Sequence, residues 1–301
     1  MHKKVEQTIA DIKALKIQGA RNVAKAALLA LAAQAEHSNQ RTAGSFYAEL
    51  EKTTKVLSEA RPTEPMTRNS LRMVMDYTDS NPADVRLLKH AIKKKVWQML
   101  TQFEEEAEKL SDYGARLIPK HALVITHCHS STVTRILKKA RKQNIEVIAC
   151  ETRPRWQGRI TAKELAQAGV NVSLIVDGAA NMFMKKADIV LVGADAVTSR
   201  GDLINKVGNS MLAHIAKLHD VSFYSAAELL KYSPMTVFGV RERIEQRASE
   251  EVWEKPAAKV KIQNPAFDVT AANYLAGYVT EEGVIPPQSF FTFANEKLNS
   301  G

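Results

Sequence analysis

The sequence predicts an α/β protein: an N-terminal helical bundle followed by a doubly wound parallel sheet domain. Three observations carry this expectation. From Val5 to about Leu117 the apolar residues recur at three- and four-residue spacing, with no strand-like alternation. From Ala122 onward, short continuous apolar runs alternate with helical patterns, as in βαβ units whose sheet is covered on both faces. Between the two textures lies only a short Gly- and Pro-containing connection at 112–121. The expected domains are therefore 1–116, helical, and 117–301, α/β. A chain of 301 residues is long enough to bury about three-quarters of its unfolded surface without disulfide staples.

In the helical half, Val5, Ile9, Ile12 and Leu15 mark one face of a first helix. The segment Gly19 to Leu31 is rich in small residues, which let a second helix pack closely against a neighbour. A third helix, about Phe46 to Ala60, ends before Arg61-Pro62-Thr63, because proline biases the preceding residue away from the α region. A fourth spans roughly Asn69 to Tyr77. The longest runs from Pro82, a first-turn proline, to about Ser111.

In the second half the expected strands are Ala122–Thr126, Glu146–Cys150, Val172–Asp177, Ile189–Asp195 and Val221–Ala226. Helical patterns at Ser131–Gln143, Ile160–Gly169, Ala179–Ala187 and Asn205–His219 separate them. Right-handed crossovers then give a Rossmann-like layer. The C-terminal part predicts strands at Val260–Ile262 and Phe267–Val269, a short helix near Ala271–Tyr278 and the loop Ile285-Pro286-Pro287. No G-x-G-x-x-G fingerprint is present, so no NAD is inferred, and no cofactor is expected.

Composition narrows the function classes. Two cysteines without framework spacing, and a start (Met1 to Gln7) lacking an apolar stretch, lead to an expected cytoplasmic location. No apolar run approaches the roughly 18 residues a membrane span needs. The net charge of +9 suits an anionic metabolite, an acidic partner or nucleic acid. Nucleic acid is disfavoured, because basic runs such as Lys93 to Lys95 sit in mixed-charge helices beside Glu104 to Glu106. Aromatic residues make up only 6% of the chain and are not interleaved with those runs.

The candidate chemistry centres on the stretch from Leu123 to Val133, an apolar strand ending in hydroxyl residues that can cap a helix starting near Ser131. Cys128 falls at the join. Unpaired N–H groups and the helix dipole there favour a thiolate and attract phosphate. In an open parallel sheet, ligands bind beyond the carboxyl ends of the strands. There the sequence places Cys128, His129, Ser130 and Ser131, then Glu151 to Gly158 with Arg153 and Arg155, then Asp177-Gly178. Gly193-Ala194-Asp195, Asn205-Lys206, Glu228 and Lys231 follow. Each also has a plainer reading: Cys128 as a small buried hydrophobe, Asp195 as a turn cap, one of the arginines as a surface or subunit-contact residue. Lys206 near a helix start is electrostatically awkward unless an anion lies nearby. His127 and His129 look like metal ligands, but no third ligand stands at suitable spacing, so no metal is expected.

Taken together, Thr126-His127-Cys128, Glu151-Thr152-Arg153-Pro154-Arg155-Trp156-Gln157-Gly158, Gly193-Ala194-Asp195 and Asn205-Lys206-Val207-Gly208 resemble one superfamily. It joins the aldose-1-phosphate isomerases to the regulatory subunits of translation initiation factor 2B. Gly19-Ala20, Arg61-Pro62-Thr63, Asn264 to Thr270 and Ile285-Pro286-Pro287 extend the likeness to nearly the whole chain. The arginine-rich segment and the short helical half look most like the ribose-1,5-bisphosphate isomerase branch. The resemblance implies Cys128 as base and Asp195, raised in pKa by a closed apolar site, as acid. It implies contacts to a phosphorylated sugar from Gly19, Ala20, Arg61, Ser130, Ser131, Arg153, Gln157, Asn205, Lys206 and Lys231. Two positions depart from the family pattern. His129 stands where asparagine is usual, and Gln18 where arginine is usual, which leaves Arg21 as the substitute cation. Self-assembly as a dimer or a trimer of dimers, and activation by AMP, are also implied. Two alternatives stay open: a non-catalytic subunit that binds initiation factor 2 and senses a nucleotide or sugar phosphate, and a methylthioribose-1-phosphate isomerase.

Overall fold

The computed structural model describes residues 1–79 and 84–299; the proline expected to open the longest helix, Pro82, lies outside the described residues. The chain forms two compact units, Met1–Glu106 with the residues from Ala294 onward, and Ala107–Phe293.

The helical unit is built from α1 (Lys3–Lys13), α2 (Ala20–His37), α3 (Ala43–Glu59), α4 (Pro65–Asp79) and the first part of α5 (Val85–Leu117). Local signals set the ends. The His2 ring accepts from the Lys4 N–H, and the Thr42 hydroxyl from the Ser45 N–H. Helix α4 begins earlier than expected, with Pro65 at its first position, where a missing N–H costs nothing. Val23, Ala24, Ala27, Leu28, Ala30 and Leu31 of α2 are fully buried, so its small residues do serve close packing.

The second unit follows with β1 (Leu123–His127), α6 (Ser131–Ala140), β2 (Glu146–Cys150), α7 (Gln157–Gln167), β3 (Asn171–Ile175), α8 (Ala180–Met184) and β4 (Ile189–Val192). Then come β5 (Ala196–Val197), β6 (Leu203–Lys206), α9 (Asn209–Leu218), β7 (Ser222–Ala226), β8 (Phe267–Thr270), β9 (Gly277–Thr280), β10 (Gly283–Ile285) and the start of α10 (Phe290–Asn299), whose residues from Ala294 belong to the helical unit. Seven strands form one sheet in the order β10-β9-β7-β4-β1-β2-β3, parallel apart from the β9–β10 hairpin. Strand β1 pairs with β2 on one side and β4 on the other. The winding therefore reverses at β1, and a crevice opens beyond its carboxyl end. Val124, Val147, Ile189 and Leu191 pack against Val133, Ile136, Leu137 and Leu165 of the covering helices.

Three expectations are corrected here. Asn205 and Lys206 belong to strand β6, not to a helix, because β6 pairs with β5 and β8 in a second, three-stranded antiparallel sheet. That pairing buries Leu203 and Ile204, and tertiary burial outweighs a local helical pattern. The stretch Val260–Ile262 forms no strand; Val260 is exposed and has no ladder to join. The short helix near Ala271–Tyr278 is one 3-10 turn, Ala272–Tyr274, followed by β9 alongside β7. Among the described residues, no helix is long and apolar enough to cross a membrane.

Candidate active site

Cys128 directly follows β1 and adopts φ of 67°, a left-handed conformation uncommon outside glycine. Its N–H donates to Thr152 Oγ1 at 2.8 Å, and its carbonyl accepts from Thr161 Oγ1 at 2.8 Å. Ser130 caps α6, its hydroxyl accepting from the Val133 N–H at 3.4 Å, and Ser131 is the exposed first residue of that helix. The expected thiolate is not what the environment produces. Burial pushes the Cys128 thiol up to about 11, the positive charge of Lys206 pulls it back, and the charges of Asp195 and Asp177 push it further up. Desolvation outweighs the helix start. The same result places Asp195, Asp177 and Lys206 within electrostatic reach of the sulfur.

Asp177, two residues beyond β3, holds the neighbouring turn. Its Oδ1 accepts from the Thr152 N–H at 2.8 Å and its Oδ2 from the Arg153 N–H at 2.7 Å. His127 is buried, and its Nε2 lies 3.0 Å from the Val207 carbonyl oxygen, so that nitrogen carries the ring proton. Its Nδ1 lies 3.4 Å from Thr152 Oγ1 and 3.8 Å from Asp177 Oδ1. Burial lowers the His127 pKa and keeps the ring neutral. His127 and Cys150 are register partners on adjacent parallel strands and so share one face of the sheet. With Asp177 they place three possible metal-ligating atoms within 4.8 Å of one another. A third ligand type therefore does stand near His127, contrary to expectation, although both Asp177 oxygens already accept main-chain N–H groups. His129 turns aside, with Nδ1 3.1 Å from Thr161 Oγ1 and Nε2 3.7 Å from Glu164.

The arginine-rich loop contains a cis Arg153-Pro154 peptide and is braced internally. Arg153 donates to the carbonyls of Val252 at 3.0 Å and Pro154 at 3.1 Å, and its guanidinium lies 4.9 Å from the Trp156 ring centre. Arg155 pairs with Glu251 at 2.8 Å, and Glu251 also takes Arg247 at 2.7 Å. Gln157 opens α7, and its buried Oε1 has no hydrogen-bond partner among the described residues. Gly158 is required: a Cβ there would stand 1.8 Å from the Cys150 carbonyl oxygen, so α7 can begin at the tip of β2 only with glycine.

Asp195 sits between β4 and β5, its N–H donating to the Ile204 carbonyl at 3.0 Å. Asn205 donates from Nδ2 to the Gly193 carbonyl at 2.7 Å, and the Ser225 hydroxyl donates to the same oxygen at 2.9 Å, fixing the end of β4. The Lys206 ammonium lies 5.1 Å from the Phe267 ring centre. Asp268 accepts from the Gly208 and Ser210 N–H groups at 2.7 and 3.1 Å and caps α9. Lys231 is buried, 2.7 Å from Glu228, which also accepts from Thr132 Oγ1 at 3.1 Å. Its charge is thus balanced within the protein. In the helical unit, Gly19 (φ 84°) precedes α2, Ala20 and Arg21 are buried in the first turn, and Arg61 Nε lies 3.5 Å from the buried Glu64.

Asp177 escaped the sequence reading as a partner of Cys128, although its position after β3 marked the right rim. Three comparisons with known proteins agree on kinship. The chain is similar to the ribose 1,5-bisphosphate isomerase of Pyrococcus furiosus, 39% identical over 299 residues, covering 95% of this chain and 92% of that protein. It is similar to the methylthioribose-1-phosphate isomerase of Dehalococcoides mccartyi, 35% identical over 294 residues, with 91% and 88% covered. Among solved structures it resembles the translation initiation factor eIF-2B of Pyrococcus horikoshii, with a TM-score of 0.83 at 28% identity, covering 95% of this chain and 98% of that one. Residues 16–287 match the family model as one continuous span, and the chain belongs to the Initiation factor 2 subunit family.

Proposed function

We propose that the chain is an aldose–ketose isomerase that converts ribose 1,5-bisphosphate to ribulose 1,5-bisphosphate, with Cys128 as base and Asp195 as acid. One observation carries the reading: Cys128 stands beyond β1, where the sheet reverses, within electrostatic reach of Asp195 and Lys206. The P. furiosus relative, which carries the isomerase name at 39% identity, supports the substrate.

A sugar 1-phosphate is locked as a ring, because its anomeric oxygen is esterified. Asp195 delivers a proton to the ring oxygen, and the bond from that oxygen to C1 breaks. Cys128 removes the C2 proton, and the freed electron pair forms a C1–C2 double bond. Asp195 then takes the proton from the C2 hydroxyl while Cys128 returns its proton to C1, leaving a ketone at C2 and both groups as they began. Because the resting thiol holds its proton, the cycle starts by moving that proton from Sγ to the Asp195 carboxylate, which creates base and acid together. Lys206 offers positive charge to the negative charge that develops on the C2 oxygen as its proton leaves for Asp195.

Each acid–base role is worth about 10²–10⁴-fold in rate. Cys128→Ser and Asp195→Asn are each expected to lose at least about 10²-fold in kcat while keeping wild-type circular dichroism. A coupled assay of ribulose 1,5-bisphosphate formation checks this, run beside methylthioribose 1-phosphate. Turnover of the thioether sugar alone moves the substrate to that compound. Turnover of neither, in folded protein, leaves the non-catalytic subunit.

A further inference from the structure

We propose that Asp177 is a positioning residue for this reaction: it fixes the turn after β2 whose threonine hydroxyl holds the main chain of Cys128. The inference rests on Cys128 acting in the chemistry. The line of bonds is short and continuous. Both Asp177 oxygens are used, Oδ1 on the Thr152 N–H at 2.8 Å and Oδ2 on the Arg153 N–H at 2.7 Å. Two consecutive amides on one carboxylate leave the turn little freedom to rotate. Thr152 is fully buried, and its φ of 65° is one that a β-branched residue adopts only under outside constraint. Its Oγ1 donates to the Cys150 carbonyl at 3.1 Å and accepts from the Cys128 N–H at 2.8 Å. Cys128 is itself left-handed, at φ 67°. A carboxylate after β3 thus reaches, through one threonine after β2, the residue after β1. Three neighbouring strand tips are tied at the point where a shift of the sulfur would matter most.

Asp177 also acts on Cys128 through space. The charges that act on the sulfur include Lys206 at the end of β6, Asp195 between β4 and β5, and Asp177 after β3. Removing the Asp177 charge alone therefore favours the thiolate, while removing its hydrogen bonds disturbs the geometry. The two consequences are separable.

The experiment uses Asp177→Asn, Thr152→Val and Thr152→Ser in the full chain. It reads kcat and KM for ribose 1,5-bisphosphate, Tm, and the pH profile of Cys128 alkylation by iodoacetamide, resolved on the peptide carrying Cys128. Asp177→Asn keeps an acceptor for one amide and turns an NH₂ against the other. Expected is a fall in kcat of about 10²-fold with KM within about threefold of wild type. The alkylation profile of that variant moves to lower pH, so the enzyme gains thiolate while it loses turnover. Thr152→Val, which carries no charge change, lowers kcat in the same way without moving the profile. Thr152→Ser, which keeps the acceptor, stays within about threefold of wild type. The double variant Asp177→Asn with Thr152→Val loses less than the product of the two single losses. The proposal is overturned if Asp177→Asn keeps wild-type kcat, if the loss lies in KM alone, or if Thr152→Val is fully active. Full activity of Cys128→Ser would instead overturn the catalytic assignment of the cysteine, a separately readable result.

Discussion

Cys128 holds its proton in the resting protein, and in the proposed mechanism that proton passes to Asp195, which governs the expected pH dependence. Burial, with carboxylates nearby, raises the thiol from 9.0 to about 11, so at neutral pH the proton sits on sulfur. The working form, thiolate with carboxylic acid, carries the same number of protons as the resting form, thiol with carboxylate. Its share therefore does not change with pH from neutrality up to about 11, where the thiol itself titrates. The expected log kcat profile is flat through neutrality and falls above about 11, where the last proton leaves the pair. A thiolate working without Asp195 would instead give a rate climbing about tenfold per pH unit from about pH 7 to about pH 9. Steady-state rates across that window decide between them. Cys128 was legible as a candidate because its strand-to-helix position is a local property. Its protonation was not, because it is set by tertiary burial and by the charges of Lys206, Asp195 and Asp177, which lie far along the chain.

The segment from β2 into α7 shows how an element is fixed by one close approach. The start of α7 folds back onto the tip of β2, and Gly158 leaves no room for a methyl group beside the Cys150 carbonyl. Gly158→Ala is expected to destabilise the protein by about 1–3 kcal/mol, as overpacking does. That corresponds to a Tm lower by about 2–4 °C for each kcal/mol, measured by thermal unfolding. Gly44→Ala in α3, where no atom lies within 4 Å of the added Cβ, serves as the comparison and leaves Tm unchanged or raised. The helix itself was legible, though its start lay three residues earlier than the apolar pattern indicated, at Gln157. Strand β6 was not legible. Leu203 to Lys206 reads locally like the approach to a helix, and only pairing with β5 and β8 makes it a strand.

For the whole chain, the net charge of +9 makes the encounter with a doubly phosphorylated sugar electrostatically favourable. Raising NaCl from about 0.05 M to about 0.5 M shortens the screening length from over 10 Å to a few ångströms. kcat/KM is expected to fall several-fold over that range while kcat holds, and a salt-independent kcat/KM would refute steering. By itself the sequence determined the alternation of strand and helix, the parallel sheet and the rim on which Cys128 and Asp195 both lie. Hydrophobic period and strand length are written within a few residues, and a parallel sheet must expose its ligands at its carboxyl ends. Only the tertiary structure decided that Arg153 and Arg155 brace the 247–252 segment, that Lys231 is balanced by Glu228, and that Asp268 fills the start of α9. It alone decided that Asp177 holds Thr152, 25 positions away. A charged group's partner and its proton depend on which distant strand tips the packed sheet brings within hydrogen-bond distance, and no local period in the chain carries that information.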